Sequence, residues 1–331
     1  MPRTRIAAIG THVPERVVTN HDLTQMMETS DEWIQQRTGI RERRWVGPEQ
    51  GATDLALEAT QKALRRAEWE AKDIEAIVYA TLSPDYFFPG DGCFLQAKLG
   101  LPGVPALDVR NQCSGFLYGL SVADAWIRSG QYKRILLIGA EVHSTGLDVS
   151  TRGRDVSVIF GDGAGAALLE ATEEPASFVL STHLHADGRF GKDLWTEGPS
   201  SIRHPRIDYQ LLEEGRHFPK MDGQKVFKHA IVRMPEVVHE ALKQNNLTTR
   251  DIKVLIPHQA NLRISEMVQR SLELRDDQVF NNIQKYGNTT AASIPICLEE
   301  AIEVRGVKRG DVIALAAFGA GFTWASALIR W

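Results

Sequence analysis

The sequence predicts an α/β protein built from two duplicated halves. Short apolar runs alternate with amphipathic helical patterns along all 331 residues, which is typical of α/β architecture. In addition, residues 58–81 align with residues 236–259 without gaps, at an offset of 178 positions. The identical pairs are Glu58/Glu236, Ala63/Ala241, Leu64/Leu242, Asp73/Asp251 and Ile74/Ile252. We interpret this pattern as a repeated helix–strand unit.

The same offset indicates where the two halves meet. It places the helix that follows Cys113 on a second helix that follows Ala291. A polar stretch with a proline, residues 170–177, separates the two sets of elements. We therefore expect one half over residues 1–172 and the other over residues 173–331.

Each short apolar run is predicted to form a strand. The runs lie at 75–81, 104–109, 134–140 and 156–160 in the first half, and at 252–257 and 312–318 in the second. The segment after Cys113 is predicted to be a helix that ends before Gly130, because its apolar residues recur at helical spacing. The pair Asp162-Gly163 lies between two extended runs, which predicts a hairpin there.

Composition excludes several classes of protein. Hydrophobic residues make up 43% of the chain, enough for a substantial core, and the net charge of −4 argues against a general nucleic-acid binder. The three cysteines have no paired spacing, so we expect neither a disulfide framework nor a zinc site. No apolar segment reaches about 18 residues, and the N-terminal apolar run is too short for a signal peptide. We expect a cytoplasmic globular protein that binds neither membranes nor nucleic acid.

Cys113 occupies a distinctive place in the sequence. It follows a short extended stretch and precedes Ser-Gly and a long apolar helix. Unpaired backbone N–H groups at a helix N-terminus favour a thiolate, so one expectation is a lowered thiol pKa and a nucleophile. A small buried core residue is the alternative on the local sequence alone. Cys93 and Cys297 lack this setting, and we interpret them as structural.

Two polar residues of the second half occupy comparable junctions. His258 comes just after a predicted strand, and Asn288 falls opposite Arg110 at the offset of 178, close to the junction that carries Cys113. A lone histidine is usually structural, and an asparagine after glycine is usually part of a turn. If the halves pack about a pseudo-twofold axis, these loops meet in one crevice at the carboxyl ends of the strands, where ligands bind in open α/β sheets.

Several motifs together carry a family resemblance. They are NQCSGF, PHQANLR, YGNTTAASIP and AFGAGFTWASALIRW, and the stretches 29–45 and 150–169 extend the match to nearly the whole chain. This combination resembles the 3-oxoacyl-[acyl-carrier-protein] synthase III family. The resemblance implies a thiolase-like fold with layered α-β-α-β-α architecture. It also implies an acyltransferase that joins an acyl-CoA to malonyl-acyl carrier protein (malonyl-ACP) and so initiates fatty-acid synthesis.

The resemblance assigns a catalytic triad. Cys113 is implied to be the acylated nucleophile, with His258 and Asn288 as its partners. Decarboxylation of malonyl-ACP leaves an enolate, whose oxygen the two partners can bind through N–H donors. The backbone N–H groups of Cys113 and Ala320 are implied to bind the thioester oxygen. Ala320 replaces a common glycine, and its role survives if alanine tolerates the backbone conformation there.

The resemblance also implies a binding path for CoA. Trp33 and Arg152 resemble the pair that sandwiches the adenine, with Arg37 near the nucleotide phosphates. Phe227 and Asn261 match positions along the pantetheine tunnel. Acyl-CoA is expected as a substrate, and no cofactor is expected. We also expect no metal, because no third ligand accompanies the pair His183 and His185.

Three further positions concern protein partners. Lys228 and Arg263 match positions that dock the acidic carrier protein, although such charges are usually just a solvated face. Phe88 lies where the family closes its acyl pocket from the neighbouring subunit, and a homodimer is implied by the resemblance alone.

The chain departs from the family pattern in two places. RNQCSGF replaces the usual small-residue run before the cysteine, and residues 194–220 are longer than expected, so they should form an excursion over the site before Met221. Acetyl-CoA is the default starter. Longer or branched acyl-CoA starters, and a different acceptor in specialised metabolism, remain alternatives. A catalytically silent homologue that binds acyl-CoA or ACP is a further alternative, which the intact triad disfavours.

Overall fold

Strands and helices alternate along the chain. A computed structural model of the chain describes residues 2–331. The strands are β1 (Arg3–His12), β2 (Val17–Thr19), β3 (Glu42–Arg44), β4 (Ala76–Ala80), β5 (Ala106–Val109), β6 (Arg134–Glu141), β7 (Gly163–Thr172), β8 (Phe178–Ala186), β9 (Leu194–Thr196), β10 (Pro219–Met221), β11 (Ile252–Pro257), β12 (Val312–Gly319) and β13 (Thr323–Arg330). The helices are α1 (Asn20–Thr24), α2 (Asp31–Thr38), α3 (Ala52–Ala67), α4 (Asp91–Lys98), α5 (Gly115–Arg128), α6 (Arg154–Ser157), α7 (Tyr209–Glu213), α8 (Gly223–Gln244), α9 (Leu262–Ser271), α10 (Ile283–Tyr286) and α11 (Ser293–Val304). None of the helices formed by residues 2–331 has the length and apolar composition needed to cross a bilayer.

The two main sheets share one topology. Their strand orders are β1-β7-β6-β4-β5 and β8-β13-β12-β11. In the first sheet β4 is parallel to both β5 and β6, and in the second sheet β11 is parallel to β12. The strands that follow toward β1 or β8 are antiparallel. The 3-10 turns Gln112–Ser114 and Thr290–Ala292, which precede α5 and α11, are separated by the offset seen in the sequence. The duplicated α/β architecture is therefore confirmed, whereas the boundary between residues 172 and 173 stays a prediction.

The sheets bury both of their faces, which produces five layers. In β4, Val78 packs into a central cluster with α5 and α11, while Ile77 and Tyr79 pack on the opposite face with residues of α3. The second sheet lies between the same central helices and the outer helices α8 and α9. Nearly continuous apolar strands are expected where both faces are covered. The layers are α3/α4, sheet, α5/α11, sheet and α8/α9.

Residues 156–160 do not form the predicted strand. The helix α6 ends at Ser157, and Phe160 makes only an isolated parallel bridge with Asn288. The predicted hairpin is also wrong, because β7 pairs with β1 and β6. Asp162 does not form a turn but accepts backbone N–H groups from two other segments. A short apolar run does not distinguish a strand from another buried segment, and here tertiary packing decides.

Residues 194–221 form an excursion from the second half. Their ends pair as the antiparallel ribbon of β9 and β10, with the short helix α7 between them. Glu197 binds Arg203 and Arg216, which ties the polar interior of the excursion together. Leu194 and Met221 line the cavity next to Cys113. The excursion therefore covers this region, as expected from the sequence.

Candidate active site

Cys113 lies at a sharply turned junction between β5 and α5. It belongs to the 3-10 turn that precedes α5, and the residue before it, Gln112, has a φ of 43°. At the equivalent junction before α11, Thr290 has a φ of 48°. Residues other than glycine rarely adopt this left-handed conformation, which costs of order 1–3 kcal/mol, so the surrounding structure has to impose it. The duplicated fold thus repeats one strained turn at both junctions.

Both junctions face one cavity of about 600 Å³. The buried part of its lining includes Cys113, His258 and Asn288. His258 follows β11, and its backbone N–H donates to the carbonyl oxygen of Ala316 on β12 at 2.7 Å. Asn288 follows α10 and a glycine with a positive φ, Gly287. Three segments that are distant in sequence therefore place Cys113, His258 and Asn288 around one cavity, as the sequence analysis predicted.

The Cys113 thiol is protonated at neutral pH in the free chain. Burial and the nearby carboxyl of Glu141 raise its pKa to about 12, although the backbone N–H groups of Cys113 and Ala320 act in the opposite direction. The expectation of a lowered pKa is therefore wrong. The free energy needed to remove the thiolate from water is larger than the stabilisation that the helix N-terminus provides.

The turn after β12 approaches the sulfur closely. The backbone N–H groups of Ala320 and of Cys113 itself lie close enough to the Cys113 sulfur to favour its charged form and so to lower its pKa. A Cβ atom on Gly319 would lie 2.6 Å from the Cβ of Cys113, so glycine is required there. Gly321 has a φ of 131°. Ala320, in contrast, does not have a positive φ. Alanine is therefore unstrained at position 320.

His258 is held through one ring nitrogen and presents the other. Its Nδ1 lies 2.6 Å from the hydroxyl oxygen of Ser293, which also accepts the backbone N–H of Gln259 at 3.4 Å. Its Nε2 is buried and has no hydrogen-bond partner among residues 2–331. Burial lowers the pKa of His258 to about 3, with a contribution from His143, so the imidazole is neutral. The Ser293 hydroxyl, which also accepts from Gln259, can donate its own hydrogen to Nδ1, and in that arrangement the ring proton is on Nε2.

Asn288 has a fixed side-chain orientation. Its Oδ1 accepts the backbone N–H of Thr290 at 2.8 Å, and its own backbone bonds to Ile159 and Gly161 across an isolated bridge. With the oxygen engaged, the Nδ2 end of the amide is the one available to donate to a ligand. The strained turn at Thr290 therefore positions this donor.

The wider part of the cavity contains an aromatic and cationic group. Trp33, Arg37, Phe227, Asn261 and Arg263 all line it. The Arg37 guanidinium lies 4.5 Å from the centroid of Trp33, and the Arg263 guanidinium lies 5.5 Å from that of Phe227. Asn261 caps α9 by accepting the N–H of Arg263 and donates to the carbonyl of Arg37 at 2.8 Å. The sequence-predicted residues Trp33, Arg37, Phe227 and Asn261 thus share the cavity with the triad.

Arg152 is placed elsewhere. Its Nε donates to Asp148 at 2.6 Å, and its guanidinium donates to the carbonyl of Glu213 in the excursion at 3.3 Å. It does not line the cavity, and Arg154 lies over Trp33 instead, 4.7 Å from the ring centroid. The structure therefore does not bring Arg152 and Trp33 together, and the adenine role of Arg152 stays a prediction.

The residues assigned to protein partners lie at the surface. Lys228 is exposed on α8, one residue after Phe227, and its neighbour Lys225 is paired with Asp193 at 2.8 Å. Phe88 is 79% exposed and lines neither cavity of its own chain. Their predicted roles with ACP and with a neighbouring subunit stay predictions.

Comparisons with known proteins agree on one family. The model for 3-oxoacyl-[acyl-carrier-protein (ACP)] synthase III matches residues 107–188, and the model for its C-terminal part matches residues 242–331. A β-ketoacyl-[acyl-carrier-protein] synthase III from Alkalilimnicola ehrlichii is 45% identical over 336 residues, with 100% of both chains covered. One from Caldanaerobacter subterraneus subsp. tengcongensis is 44% identical, over 98% of this chain and 97% of the relative. The crystal structure of 3-oxoacyl-[acyl-carrier-protein] synthase III from Aquifex aeolicus VF5 superposes with a TM-score of 0.90 at 40% identity, over 99% of this chain and 100% of the other.

This chain belongs to the 3-oxoacyl-[acyl-carrier-protein] synthase III family. Membership of the family confirms the predicted thiolase-like fold and the predicted acyltransferase class.

Glu141 is a buried carboxyl that the sequence analysis missed. It ends β6, has no exposed surface, and accepts hydrogen bonds from Thr81, Leu82, Ser83 and the backbone N–H of Ala291. Burial raises its pKa to about 7, even though those donors favour the charged form. An acidic residue directly after the apolar run of β6 was the available signal. The carboxyl links a loop of the first half to the junction of the second half.

A second cavity of about 420 Å³ also reaches Cys113. Among residues 2–331, only Cys113, Phe160 and Leu194 line both cavities. Leu147 and Trp195 supply apolar parts of the wall. The sulfur of Cys113 therefore lies where two cavities with largely different linings meet.

His183 and His185 lie on one face of β8 and share a single carboxylate. They lie 3.3 Å and 2.6 Å from the carboxylate oxygens of Glu240. Within residues 2–331, no group of three or more His, Cys, Asp or Glu side chains is arranged to hold a metal ion. The expectation that neither a metal nor a cofactor takes part stays a prediction.

Proposed function

We propose that the chain catalyses the decarboxylative Claisen condensation of an acyl-CoA with malonyl-ACP through an acyl-Cys113 intermediate. The observation that carries this proposal is the place of Cys113 where two cavities meet. It shares the first cavity with Asn288 and with His258, whose Nε2 has no hydrogen-bond partner among residues 2–331. Relatives that carry the name β-ketoacyl-[acyl-carrier-protein] synthase III match essentially the whole chain, which supports the same reaction here.

The first half-reaction is acyl transfer to Cys113. The sulfur attacks the thioester carbonyl, the new S–C bond forms, and CoA leaves as a thiol that carries the proton of Cys113. Because the pKa of the free thiol is about 12, deprotonation has to be coupled to binding of the thioester. The backbone N–H groups of Cys113 and Ala320 are aimed at the region of the sulfur, where an oxyanion on the attacked carbonyl carbon would develop.

The second half-reaction is condensation. Malonyl-ACP loses CO₂, and the electron pair of the broken C–C bond forms an enolate at its thioester. The Nε2–H of neutral His258 and the Nδ2 group of Asn288 stabilise the enolate oxygen. The enolate carbon attacks acyl-Cys113, the C–S bond breaks, and the Cys113 thiolate takes up one proton. The product is a 3-oxoacyl-ACP one two-carbon unit longer than the starter.

The substrates enter by the first cavity. Its aromatic and cationic lining, Trp33 with Arg37 and Phe227 with Arg263, suits a stacked base and phosphate groups. The exposed Lys228 beside this opening suits an acidic carrier protein. A homodimer in which Phe88 of one subunit closes the second cavity of the other, and a cytoplasmic location, complete the proposal.

Product formation tests this function. The purified chain is incubated with an acyl-CoA and malonyl-ACP, and 3-oxoacyl-ACP and CO₂ are measured for the wild type, Cys113→Ala and Asn288→Ala. We expect product only with the wild type, together with residual CO₂ release by Cys113→Ala, because the enolate donors remain. Product formation by Cys113→Ala at the wild-type rate would contradict the mechanism.

A further inference from the structure

The strained turn that precedes α11 lies against the end of β6. Every second residue there contacts the turn, beginning with Gly139, on which a Cβ atom would overlap the carbonyl oxygen of Ala291. Glu141 accepts the backbone N–H of Ala291 at 3.3 Å. Nε2 of His143 lies 2.6 Å from the hydroxyl oxygen of Thr290. These contacts hold the turn from one side.

The turn also controls the orientation of Asn288. Thr290 has a φ of 48°, a conformation that the surrounding structure has to impose on a residue other than glycine. Its backbone N–H donates to Oδ1 of Asn288 at 2.8 Å, and the next N–H along the chain, that of Ala291, donates to Glu141. Because the two N–H groups are consecutive, a rotation of the backbone that releases Ala291 from Glu141 also displaces the donor that orients Asn288.

The Glu141 carboxyl is itself fixed by the first half. Its Oε2 accepts the hydroxyl of Ser83 at 2.6 Å and the hydroxyl of Thr81 at 3.1 Å. The backbone N–H groups of Leu82 and Ser83 donate to it at 3.1 Å and 3.2 Å. Five donors from both halves therefore converge on one carboxyl that has no exposed surface. Such a group is a rigid support, since a movement would leave several buried donors unpaired.

The sequence repeat relates this carboxyl to the nucleophile. At the offset of 178, Ala291 corresponds to Cys113, and Gly319 corresponds to Glu141. Gly319 allows a close approach to Cys113, whereas Glu141 binds the N–H of Ala291. Burial raises the pKa of Cys113, and the negative charge of Glu141 raises it further. The charge therefore opposes the first half-reaction, and its presence is accounted for if it serves the second.

We propose that Glu141 is a positioning residue for the condensation, which holds the turn at Thr290 and Ala291 and thereby fixes the Nδ2 donor of Asn288 toward the enolate oxygen. This role rests on the acyl-Cys113 mechanism proposed above. An amide has only one acceptor oxygen, so the side chain of Glu141→Gln cannot serve the donors of both halves. The Ala291 side supplies fewer donors and is the one that loses its partner.

A single-turnover measurement separates this role from a general loss of structure. Each protein is first acylated with acetyl- or butyryl-CoA, whichever transfers faster, and CO₂ release per acyl group is then measured against the concentration of malonyl-ACP. We expect Glu141→Gln to lower the maximal rate at least fivefold and to keep the KM within twofold, because the enolate uses the Asn288 donor and the bound substrate does not. Acylation of Cys113 should be at least as fast as in the wild type, because a negative charge near the sulfur is removed.

Two further variants locate the effect. Thr81→Val removes a bond to Oε2 and leaves the Ala291 N–H paired, so it is the matched control and should release CO₂ within twofold of the wild-type rate. Glu141→Asp keeps the charge but is one methylene too short to reach both halves, so CO₂ release should fall at least fivefold while acylation is unchanged. It decides alone if Glu141→Gln does not fold.

Three results would overturn the proposal. They are a decrease in CO₂ release of less than fivefold in the folded Glu141 variants, a comparable decrease in Thr81→Val, and a parallel loss of acylation. If neither CoA thioester acylates Cys113 of the wild type, the proposed function itself fails.

Discussion

Removal of the Ser293 hydroxyl should separate the two half-reactions. This hydroxyl lies 2.6 Å from Nδ1 of His258, and both side chains are almost fully buried, at 2% and 3% exposure. Ser293→Ala leaves Nδ1 without a partner and releases the constraint that holds the ring proton on Nε2. Condensation uses that Nε2–H, whereas acyl transfer to Cys113 does not.

The magnitude follows from the hydrogen bond itself. A neutral hydrogen bond contributes about 0.5–1.5 kcal/mol, and a buried group left unpaired costs about 1–3 kcal/mol. Loss of roughly 1–2 kcal/mol of stabilisation at the enolate corresponds to a decrease of about five- to thirtyfold in the rate of malonyl-ACP decarboxylation. Acylation should remain within about twofold of the wild type.

Two assays on one preparation provide the comparison. CO₂ release from malonyl-ACP measures the rate of decarboxylation, and intact-protein mass after mixing with an acyl-CoA measures the rate of Cys113 acylation. Ser265→Ala is the matched control, since Ser265 is equally buried but its hydroxyl has no hydrogen-bond partner within residues 2–331. A parallel loss of both activities in Ser293→Ala, or no loss of either, would refute the assigned role of His258.

Three other substitutions give distinct results. In Gly319→Ala the added Cβ displaces Cys113, so acylation should fall at least a hundredfold, whereas Gly47→Ala, where a Cβ meets nothing within 4 Å, should have wild-type activity. Burial raises the pKa of Glu141 from 4.5 to about 7, so this carboxyl stabilises the fold at low pH and loses that contribution as the pH rises to 7. Urea titrations of the wild type and of Glu141→Gln therefore measure this effect. Between pH 4.5 and 7 the unfolding free energy of the wild type should fall by about 3 kcal/mol relative to that of the variant. A difference in unfolding free energy that does not change with pH would contradict this prediction. Lys228→Glu should raise the KM for malonyl-ACP several-fold at low salt and less at high salt, whereas acylation by acyl-CoA should not change. An unchanged KM would show that Lys228 does not contribute to binding of the carrier protein.

The sequence was sufficient for the duplicated core because the two halves repeat an apolar pattern. β11 occupies the predicted residues 252–257, and β6 and β12 each extend one residue beyond their predicted runs. Strands buried on both faces leave a continuous apolar signal, and the repeat places the junctions of Cys113 and Thr290 in equivalent positions. Recognition of the triad followed from those junctions together with the family motifs.

The errors have physical causes that the sequence does not display. The run 156–160 resembles a strand in composition, but its backbone bonds to Asn288 and its side chains pack against Trp45 and Ile283, which are distant in sequence. The pKa of Cys113 depends on burial, and a helix-start pattern contains no information about it. Arg152 and Arg154 differ by two positions, and their tertiary contacts decide which of them lies over Trp33: Arg152 bonds to Asp148 and Glu213, and Arg154 bonds to the carbonyl of Glu28. The adenine role of Arg152 stays a prediction.

Mass mapping of the acylated protein tests the central claim most directly. Wild type and Cys113→Ala are incubated with the acyl-CoA that transfers fastest, and the adduct is located by peptide mass spectrometry. We expect one acyl group, attached to the buried Cys113, and none on the exposed Cys93. An adduct on Cys93, or an equal adduct on Cys113→Ala, would contradict the acyl-cysteine mechanism.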